Sequence, residues 1–336
     1  MPYCNLSPPL PGPGMTGIPT DRKTTSSRES HPSSTLSSSQ VASRMKDQLW
    51  GVLGNATFQV DLTAEDAVFY ADPNNVQAVI GRLQQHHNLT NVTLLGDGPS
   101  SESSPRFPSE GFRIEEDSYG PLIHLLNRII YAANECLPPT GTPRYLKNLH
   151  FYQFEREKIA IKHTKPDGVG LLCYPSLPSG RDFFWDDAEV IIKAKSQIHG
   201  LILQSATHAR CSLVHNRRRL FATTIAFNHE TLEIYFFVFH RSGLSSSRPL
   251  SLRTPEGFQA FVRHMVGILS IRSEADFGLD MTHSTDVFRI NGRDYGLVDK
   301  IHMRHSLCGR ATAVYSLDGM NPCLSRLSGL TYILCM

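Results

Sequence analysis

Three charged residues near the middle of the chain have types and a spacing that suit hydrolytic chemistry. Asp167 lies in the turn Lys165-Pro166-Asp167-Gly168, and Lys193 and Lys195 follow roughly 25 residues later on an apolar strand. A carboxylate can hold a divalent metal ion, and a lysine can orient or activate an attacking water. A protonated lysine, however, cannot ligate magnesium, and the charge of Lys193 beside Asp167 would repel a cation.

The order of these residues resembles the PD-(D/E)xK nuclease-like fold. In that pattern Asp167 fits the first carboxylate and Lys195 fits the lysine, while Lys193 stands where the second acid is expected. Strand alternation places Glu189 on the same face, but about two strand steps away, ~13 Å along the strand. Two interpretations stay open. One is a retained fold with an inactive site, in which Lys193 pairs with a nearby acid; the other is a residual metal-dependent nuclease with Asp167 as its metal ligand.

A second constellation lies near the C-terminus. The run Gly309-Arg310-Ala311-Thr312-Ala313-Val314-Tyr315 looks like the start of a protein-kinase fold. Such a fold opens with a β-hairpin whose glycine-rich turn covers the ATP phosphates. The chain stops at Met336, which leaves no room for the phosphate-pairing lysine strand, the catalytic-loop aspartate or the magnesium-binding aspartate. We therefore predict a truncated kinase region that does not transfer phosphate on its own.

Taken together, these segments resemble the fungal-type protein kinase family, in which a nuclease-like region precedes a kinase domain. Trp185, Asp187 and Lys195-Ser196 match a Trp-x-Asp segment that leads to a strand ending in Glu-x-Lys-Ser. His240 replaces the aspartate of the family's Asp-Arg-Ser-Gly turn. The resemblance covers approximately residues 41–317, and it is carried by the segments 185–196, 239–244, 277–280, 290–298 and 309–315.

The resemblance implies phosphorylation of protein serine or threonine with ATP and Mg²⁺ by the parent family. The family's Gly-Arg-Gly-Thr turn appears here with Ala311 as its third residue, and the added methyl restricts the backbone and its approach to phosphate. For this chain we predict no cofactor and an interaction or regulatory role. The weak candidates for nucleotide binding are Gly309, Arg310, Ala311, Thr312 and Val314.

Hydrophobic periodicity predicts an α/β (α+β) fold, in which a central mixed sheet is flanked by helices. The predicted order is helix, three strands, helix, two strands, helix. The helices are expected near 119–137, 201–214 and 256–271, and the strands at 151–163, 168–174, 188–194, 220–228 and 231–240. An earlier helix is expected from Pro73 because Val76, Val79, Ile80 and Leu83 recur at helical spacing.

Composition divides the chain into five regions. Residues 1–40 are rich in Ser and Pro and are predicted to be a disordered tail. The remaining regions are a small helical region with a mobile loop at 41–110, a nuclease-like domain at 111–285, the start of a kinase-like domain at 286–319 and an atypical tail at 320–336.

Charge and cysteine content narrow the expected location and partners. The formal net charge is +2, so nucleic acid is an unlikely partner, and no apolar run is long enough to span a bilayer. The seven cysteines form no CxxC pair, which argues against a zinc site or a disulfide framework. We therefore predict an intracellular protein, cytoplasmic or nuclear, whose partners are proteins of unknown identity.

Overall fold

The computed structural model has an eight-stranded mixed sheet at its centre, with helices on both faces. Its layers confirm the predicted α/β class. The structure describes residues 49–51, 53, 56–96, 105–137, 144–153, 166–172, 185–216, 218–281, 287–290, 293–303, 307, 312–317 and 333–335. The predicted disordered tail therefore lies outside the described residues.

Five α-helices are described from end to end. They are α1 (Pro73–His87), α2 (Asn91–Leu94), α3 (Tyr119–Cys136), α4 (Ile198–His215) and α5 (Pro255–Leu269). Two of them begin as their sequences dictate. Asp72 accepts a hydrogen bond from the Asn74 N–H and caps α1, and Thr254 caps α5 through Gly257 N–H; each helix has proline at its first position.

The central sheet has the strand order β1-β7-β6-β5-β4-β3-β2, and β8 pairs with β6. The strands are β1 (Thr57–Gln59), β2 (Leu149–Gln153), β3 (Gly168–Leu172), β4 (Val190–Lys195), β5 (Phe221–Asn228), β6 (Glu233–His240), β7 (Gly243–Ser246) and β8 (Leu250–Ser251). The pairs β1–β7 and β4–β5 are parallel, and the other pairs are antiparallel.

Two hydrophobic clusters lie on the opposite faces of this sheet. The larger joins α1, α3 and α5 to one face, on which Ile192, Ile225 and Phe236 are buried. The smaller joins α4 to the other face, where Ala226 and Phe237 lie. Strand β4 is therefore covered on both sides, and any polar side chain on it must find a partner inside the protein.

The predicted elements occur in the predicted order, with differences at their ends and with β7 and β8 added between β6 and α5. The first predicted strand, 151–163, is observed as β2 at Leu149–Gln153, and residues 154–165 lie outside the described ranges. Residues 41–110, predicted as a small helical region, also contribute β1 to the central sheet and α1 to the larger cluster. No helix in the described part of the chain is long and apolar enough to cross a membrane.

A second, four-stranded antiparallel sheet contains the predicted kinase-like hairpin. Its order is β12-β11-β10-β9, with β9 at Val287–Ile290, β10 at Arg293–Met303, β11 at Thr312–Leu317 and β12 at Ile333–Cys335. Strands β10 and β11 pair with two irregularities in register, between Leu297 and Asp299 and between Lys300 and His302. Thr312 and Val314 lie on β11, whereas Gly309, Arg310 and Ala311 lie outside the described residues.

Candidate functional site

Asp167 is held against strand β4 by two contacts to its carboxylate. Oδ1 accepts a hydrogen bond from Lys193 Nζ at 2.5 Å, and Oδ2 accepts one from the Ala194 N–H at 2.6 Å. The Asp167 N–H in turn donates to Ile192 O at 3.1 Å. Both side chains of the ion pair are buried, with 8% of Asp167 and 5% of Lys193 exposed. The pair is therefore shielded from water. In the protein interior an ionic contact is stronger than in water, and removing one partner leaves an unpaired buried charge.

The backbone at this point requires a glycine after the aspartate. A Cβ atom on Gly168 would lie 2.9 Å from both Tyr152 O on β2 and Ile123 Cδ1 on α3. Only a residue without a side chain lets β3 pass this closely between its neighbours. The Asp167-Gly168 pair of the sequence thus places the carboxylate and allows the close packing beside it.

Glu115 supplies a second carboxylate that sequence reasoning missed. It precedes α3 by four residues, and its Oε2 accepts a hydrogen bond from Lys195 Nζ at 2.5 Å. Its Oε1 accepts one from the Tyr119 hydroxyl at 2.8 Å and lies 3.5 Å from Lys193 Nζ. The site is thus a balanced network of two carboxylates and two ammonium groups. An acid just before a strongly amphipathic helix was the only sequence signal for Glu115, and no motif joined it to the lysines.

The electrostatics of the network follow from its burial. Burial raises the pKa of Asp167, although the Lys193 ammonium and the Ala194 N–H favour its ionised form. Burial also acts to raise the pKa of Glu115, but the hydrogen bonds from Lys195 and Tyr119 and the charge of Lys193 outweigh it, so this pKa is lowered. Burial and the nearby Asp167 charge raise the pKa of Tyr119, which therefore stays a hydrogen-bond donor.

The residues at this site do not fit a magnesium ion. The Lys193 ammonium already occupies one oxygen of Asp167, and a backbone N–H occupies the other. A hard cation needs several free oxygen ligands, and it is repelled by a neighbouring ammonium. Among the residues that the structure describes, no group of three or more His, Cys, Asp or Glu side chains could hold a metal ion.

Glu189, considered from the sequence as a stand-in acid, belongs to a different contact. Its Oε2 accepts a hydrogen bond from Arg219 Nη2 at 3.1 Å, and its Oε1 accepts one from the Tyr145 hydroxyl at 2.9 Å. Arg219 is almost fully buried, with 1% of its side chain exposed. Glu189 therefore pairs with a buried guanidinium at the start of β4 and takes no part in the Asp167 network at the end of that strand.

Trp185, which the family resemblance singled out, packs against helix α4 beside strand β4. Trp185 is buried and stacks on His208 with ring centroids 5.7 Å apart. Burial, reinforced by the charge of Lys193, lowers the pKa of His208 to about 3. His208 therefore stays neutral at physiological pH and adds no charge beneath the lysine.

His240, at the position where the resemblance leads to the expectation of an aspartate, caps the turn after β6. Its Nδ1 accepts a hydrogen bond from the Ser242 N–H at 3.2 Å, so its Nε2 carries the proton that is donated to Ser245 Oγ at 3.1 Å. An aspartate side chain caps a turn in the same way, by accepting from the N–H two residues on. The His240 side chain therefore stabilises the turn that leads into β7.

Comparison with known families supports the resemblance drawn from the sequence. Residues 176–321 match the family model described as fungal protein kinase. This range begins before Trp185 and runs past β11, so it contains both lysines of the network and the hairpin. No curated protein and no solved structure matches the chain.

Proposed function

We propose that this chain, which matches the fungal protein kinase family over residues 176–321, uses its central α/β domain as a non-catalytic regulatory or interaction module. One observation carries the proposal. The position that would have to bind a catalytic metal holds the Lys193 ammonium, bound to Asp167 at 2.5 Å. A buried ion pair of this kind fixes the packing of β3 on β4 and offers no free ligand for hydrolysis.

Protein phosphorylation with ATP and Mg²⁺ is the activity proposed for the family protein as a whole. In this chain the nucleotide would approach the β10–β11 hairpin, where Thr312 and Val314 lie on β11. The methyl group of Ala311 disfavours close contact between backbone and phosphate. Titration of the wild-type chain and Ala311→Gly with Mg-ATP tests this point. We expect tighter binding by the variant; equal affinities would contradict a role for Ala311.

A residual nuclease is the second candidate, because four residues of suitable type do converge at one place. Glu115, Asp167, Lys193 and Lys195 form a single network, although they come from three separate segments of the chain. Two carboxylates and a lysine are the groups that such a reaction uses. A nuclease would require Lys193 to move away from Asp167. That movement is unfavourable because it leaves the buried Asp167 carboxylate unpaired.

A cleavage assay separates the two candidates. Linear and supercoiled DNA are incubated with the wild-type chain and with Asp167→Ala, in Mg²⁺ and in Mn²⁺. The regulatory proposal predicts no metal-dependent cleavage by either protein, while urea unfolding of the wild type shows one cooperative transition. Cleavage that requires metal and disappears in Asp167→Ala would establish the nuclease and overturn the regulatory proposal.

A further inference from the structure

A cavity of about 430 Å³ lies between helix α5 and the edge of the central sheet that β1 forms. Three segments supply its walls: the turn after β1 with Asp61, the link from β7 to β8 with Arg248, and helix α5 with Arg263 and His264. A volume of this size accommodates a small organic molecule. These residues take no part in the Asp167 network or in the functions considered above.

Hydrogen bonds hold the turn after β1 in place on both sides of the cavity. The Val60 N–H donates to Ser246 O on β7 at 2.9 Å. Asp61 Oδ1 accepts from the N–H of Thr63 at 2.9 Å and from its hydroxyl at 2.8 Å. Arg263 Nη2 on α5 donates to Thr63 O at 3.3 Å. The turn is thus joined to β7 and to α5, so the cavity between them is preformed.

Charges of both signs line the cavity and remain available to a ligand. Among the described residues, the Arg248 side chain has no hydrogen-bond or ion-pair partner, and the Arg263 guanidinium donates only to Thr63 O. Asp61 uses Oδ1 for Thr63, which leaves its Oδ2 without a partner in the same part of the chain. The hydrogen bonds from Thr63 and the nearby charge of Arg263 lower the pKa of Asp61, so its carboxyl group is ionised at physiological pH. The lining can therefore bind an anionic and a cationic group side by side.

The other lining residues add a hydrogen-bond acceptor and an apolar surface. His264 is buried, its ring stacks on Phe236, and its Nδ1 donates to Ala260 O at 2.8 Å. Burial lowers the pKa of His264, so the ring is neutral and its Nε2 is an acceptor, which has no partner among the described residues. Val60 and Leu250 bring apolar side chains to the same lining. This combination suits a ligand that has N–H donors and an apolar group as well as a carboxylate.

We infer that this cavity binds a free α-amino acid with an apolar side chain. The carboxylate of the ligand lies between Arg248 and Arg263, and its ammonium group contacts Asp61. The side chain of the ligand contacts Val60 and Leu250. A guanidinium matches the geometry of a carboxylate, and a free amino acid carries its anion and its cation close together, as the lining requires. The inference does not depend on the proposed function of the Asp167 network.

Isothermal titration calorimetry on the full chain tests this inference, with L-phenylalanine as the probe. Two derivatives with the same side chain separate its charges: N-acetyl-L-phenylalanine lacks the ammonium group, and L-phenylalaninamide lacks the carboxylate. Arg248→Gln removes an exposed cation of the lining, and Asp61→Asn removes its carboxylate but keeps an acceptor for Thr63. Lys147→Gln is the matched control, because it also removes one exposed cation but does not line this cavity. Urea unfolding verifies that all three variants remain folded.

We expect saturable binding of L-phenylalanine that weakens about tenfold in Arg248→Gln and in Asp61→Asn and is unchanged in Lys147→Gln. Both derivatives should bind the wild-type chain at least about tenfold more weakly than the free amino acid. Absence of saturable binding overturns the inference, and so does an equal loss in the Lys147→Gln control. Equal binding of N-acetyl-L-phenylalanine would show a site for simple anions, and equal binding of L-phenylalaninamide a site for simple cations; either result also overturns it.

Discussion

The two ends of strand β4 hold two versions of the same contact. At its start, Glu189 is bound by the Arg219 guanidinium and the Tyr145 hydroxyl. At its end, Glu115 is bound by the Lys195 ammonium and the Tyr119 hydroxyl, with a second pair, Asp167 and Lys193, directly beside it. Glu189 and Glu115 are thus each bound by one cation and one phenol.

The two sites differ in their access to water. The side chains of Glu189 and Arg219 are 9% and 1% exposed, whereas those of Glu115 and Lys195 are 18% and 29% exposed. The first site is closed and held by a planar guanidinium, while the second is reached by solvent at one of its two lysines. A buried acid and its cation beside a strand can therefore serve packing alone, as Glu189 and Arg219 do. Of the two sites, the one with Lys195 has the solvent exposure that a functional site needs.

Removing the cation of the closed site should have the largest effect. Arg219→Met leaves Glu189 buried with only the Tyr145 hydroxyl, so the free energy of unfolding should fall by about 3–5 kcal/mol. Urea denaturation at pH 7 measures this loss. The double variant Arg219→Met with Glu189→Gln should recover much of it, because no buried charge remains. A loss below about 1 kcal/mol in the single variant would contradict the closed site.

At the open site, the inner lysine should matter nearly as much. Lys193→Met leaves Asp167 buried with only the Ala194 N–H, and we expect a loss of about 3 kcal/mol in the same measurement. The matched control adds Asp167→Asn, which keeps an acceptor for the backbone N–H and removes the charge. If this control is no more stable than Lys193→Met alone, the buried charge is not the cause of the loss.

The histidine beneath Lys193 should give the network a dependence on pH. The pKa of His208 in the folded protein is lowered to about 3 from an ordinary value of 6.5. Between pH 6.5 and pH 3, His208 is therefore protonated in the unfolded chain but neutral in the folded protein. The free energy of unfolding is highest above pH 6.5 and decreases as the pH falls towards 3. Between pH 7 and pH 5 this loss is about 2 kcal/mol.

His208→Phe keeps the ring against Trp185 and removes the titrating group. Urea denaturation at pH 7 and pH 5 should show that the variant loses about 2 kcal/mol less than the wild type over this interval. His87, His240 and His264 also have a lowered pKa, so they remain as a common background in both proteins. An identical loss in wild type and variant would show that His208 is protonated in the folded state.

The outer lysine should have the smallest effect. Lys195 is partly exposed, and Lys195→Met should lower the free energy of unfolding by only about 0.5–1 kcal/mol. Glu115 remains within reach of Lys193 and Tyr119 and is partly hydrated. The same denaturation experiment is done at low and at high salt. The loss in unfolding free energy caused by Lys195→Met should be smaller at high salt, because salt screens the charge of this partly exposed lysine. A loss as large as that in Lys193→Met would contradict the distinction between inner and outer lysines.

Part of the fold could be read from the sequence because long apolar segments carry a clear period. Helix α3 and the strand pair β5–β6 fall where the pattern predicts them. Strands β1 and β7 could not be found in this way: Thr57–Gln59 is exposed throughout, and Gly243–Ser246 is only four residues long and carries a single large apolar side chain. Strand β1 pairs with β7, and β7 pairs with β6. Such pairing with distant segments stabilises the strands, and it cannot be recognised from the residues of the strand itself.

In the candidate site, too, some contacts could be predicted from the sequence and others could not. Asp167 and Lys193 lie on segments that the sequence places next to each other in the sheet, so their contact follows from strand order. Glu115 lies 80 residues before Lys195 in a segment with no motif, and only the packing of α3 on the sheet brings the two together. His240 shows the opposite case: the resemblance predicts an aspartate here, and the histidine accepts a hydrogen bond from the Ser242 N–H as an aspartate in such a turn would.

Calorimetric titration with Mn²⁺ tests the central claim most directly, namely that an ammonium group holds Asp167 in place of a metal. We predict no saturable Mn²⁺ binding by the wild-type chain and the appearance of binding in Lys193→Glu, which removes the ammonium and adds a carboxylate beside Asp167. Saturable binding by the wild type that is lost in Asp167→Ala would contradict the claim and make this network a metal site.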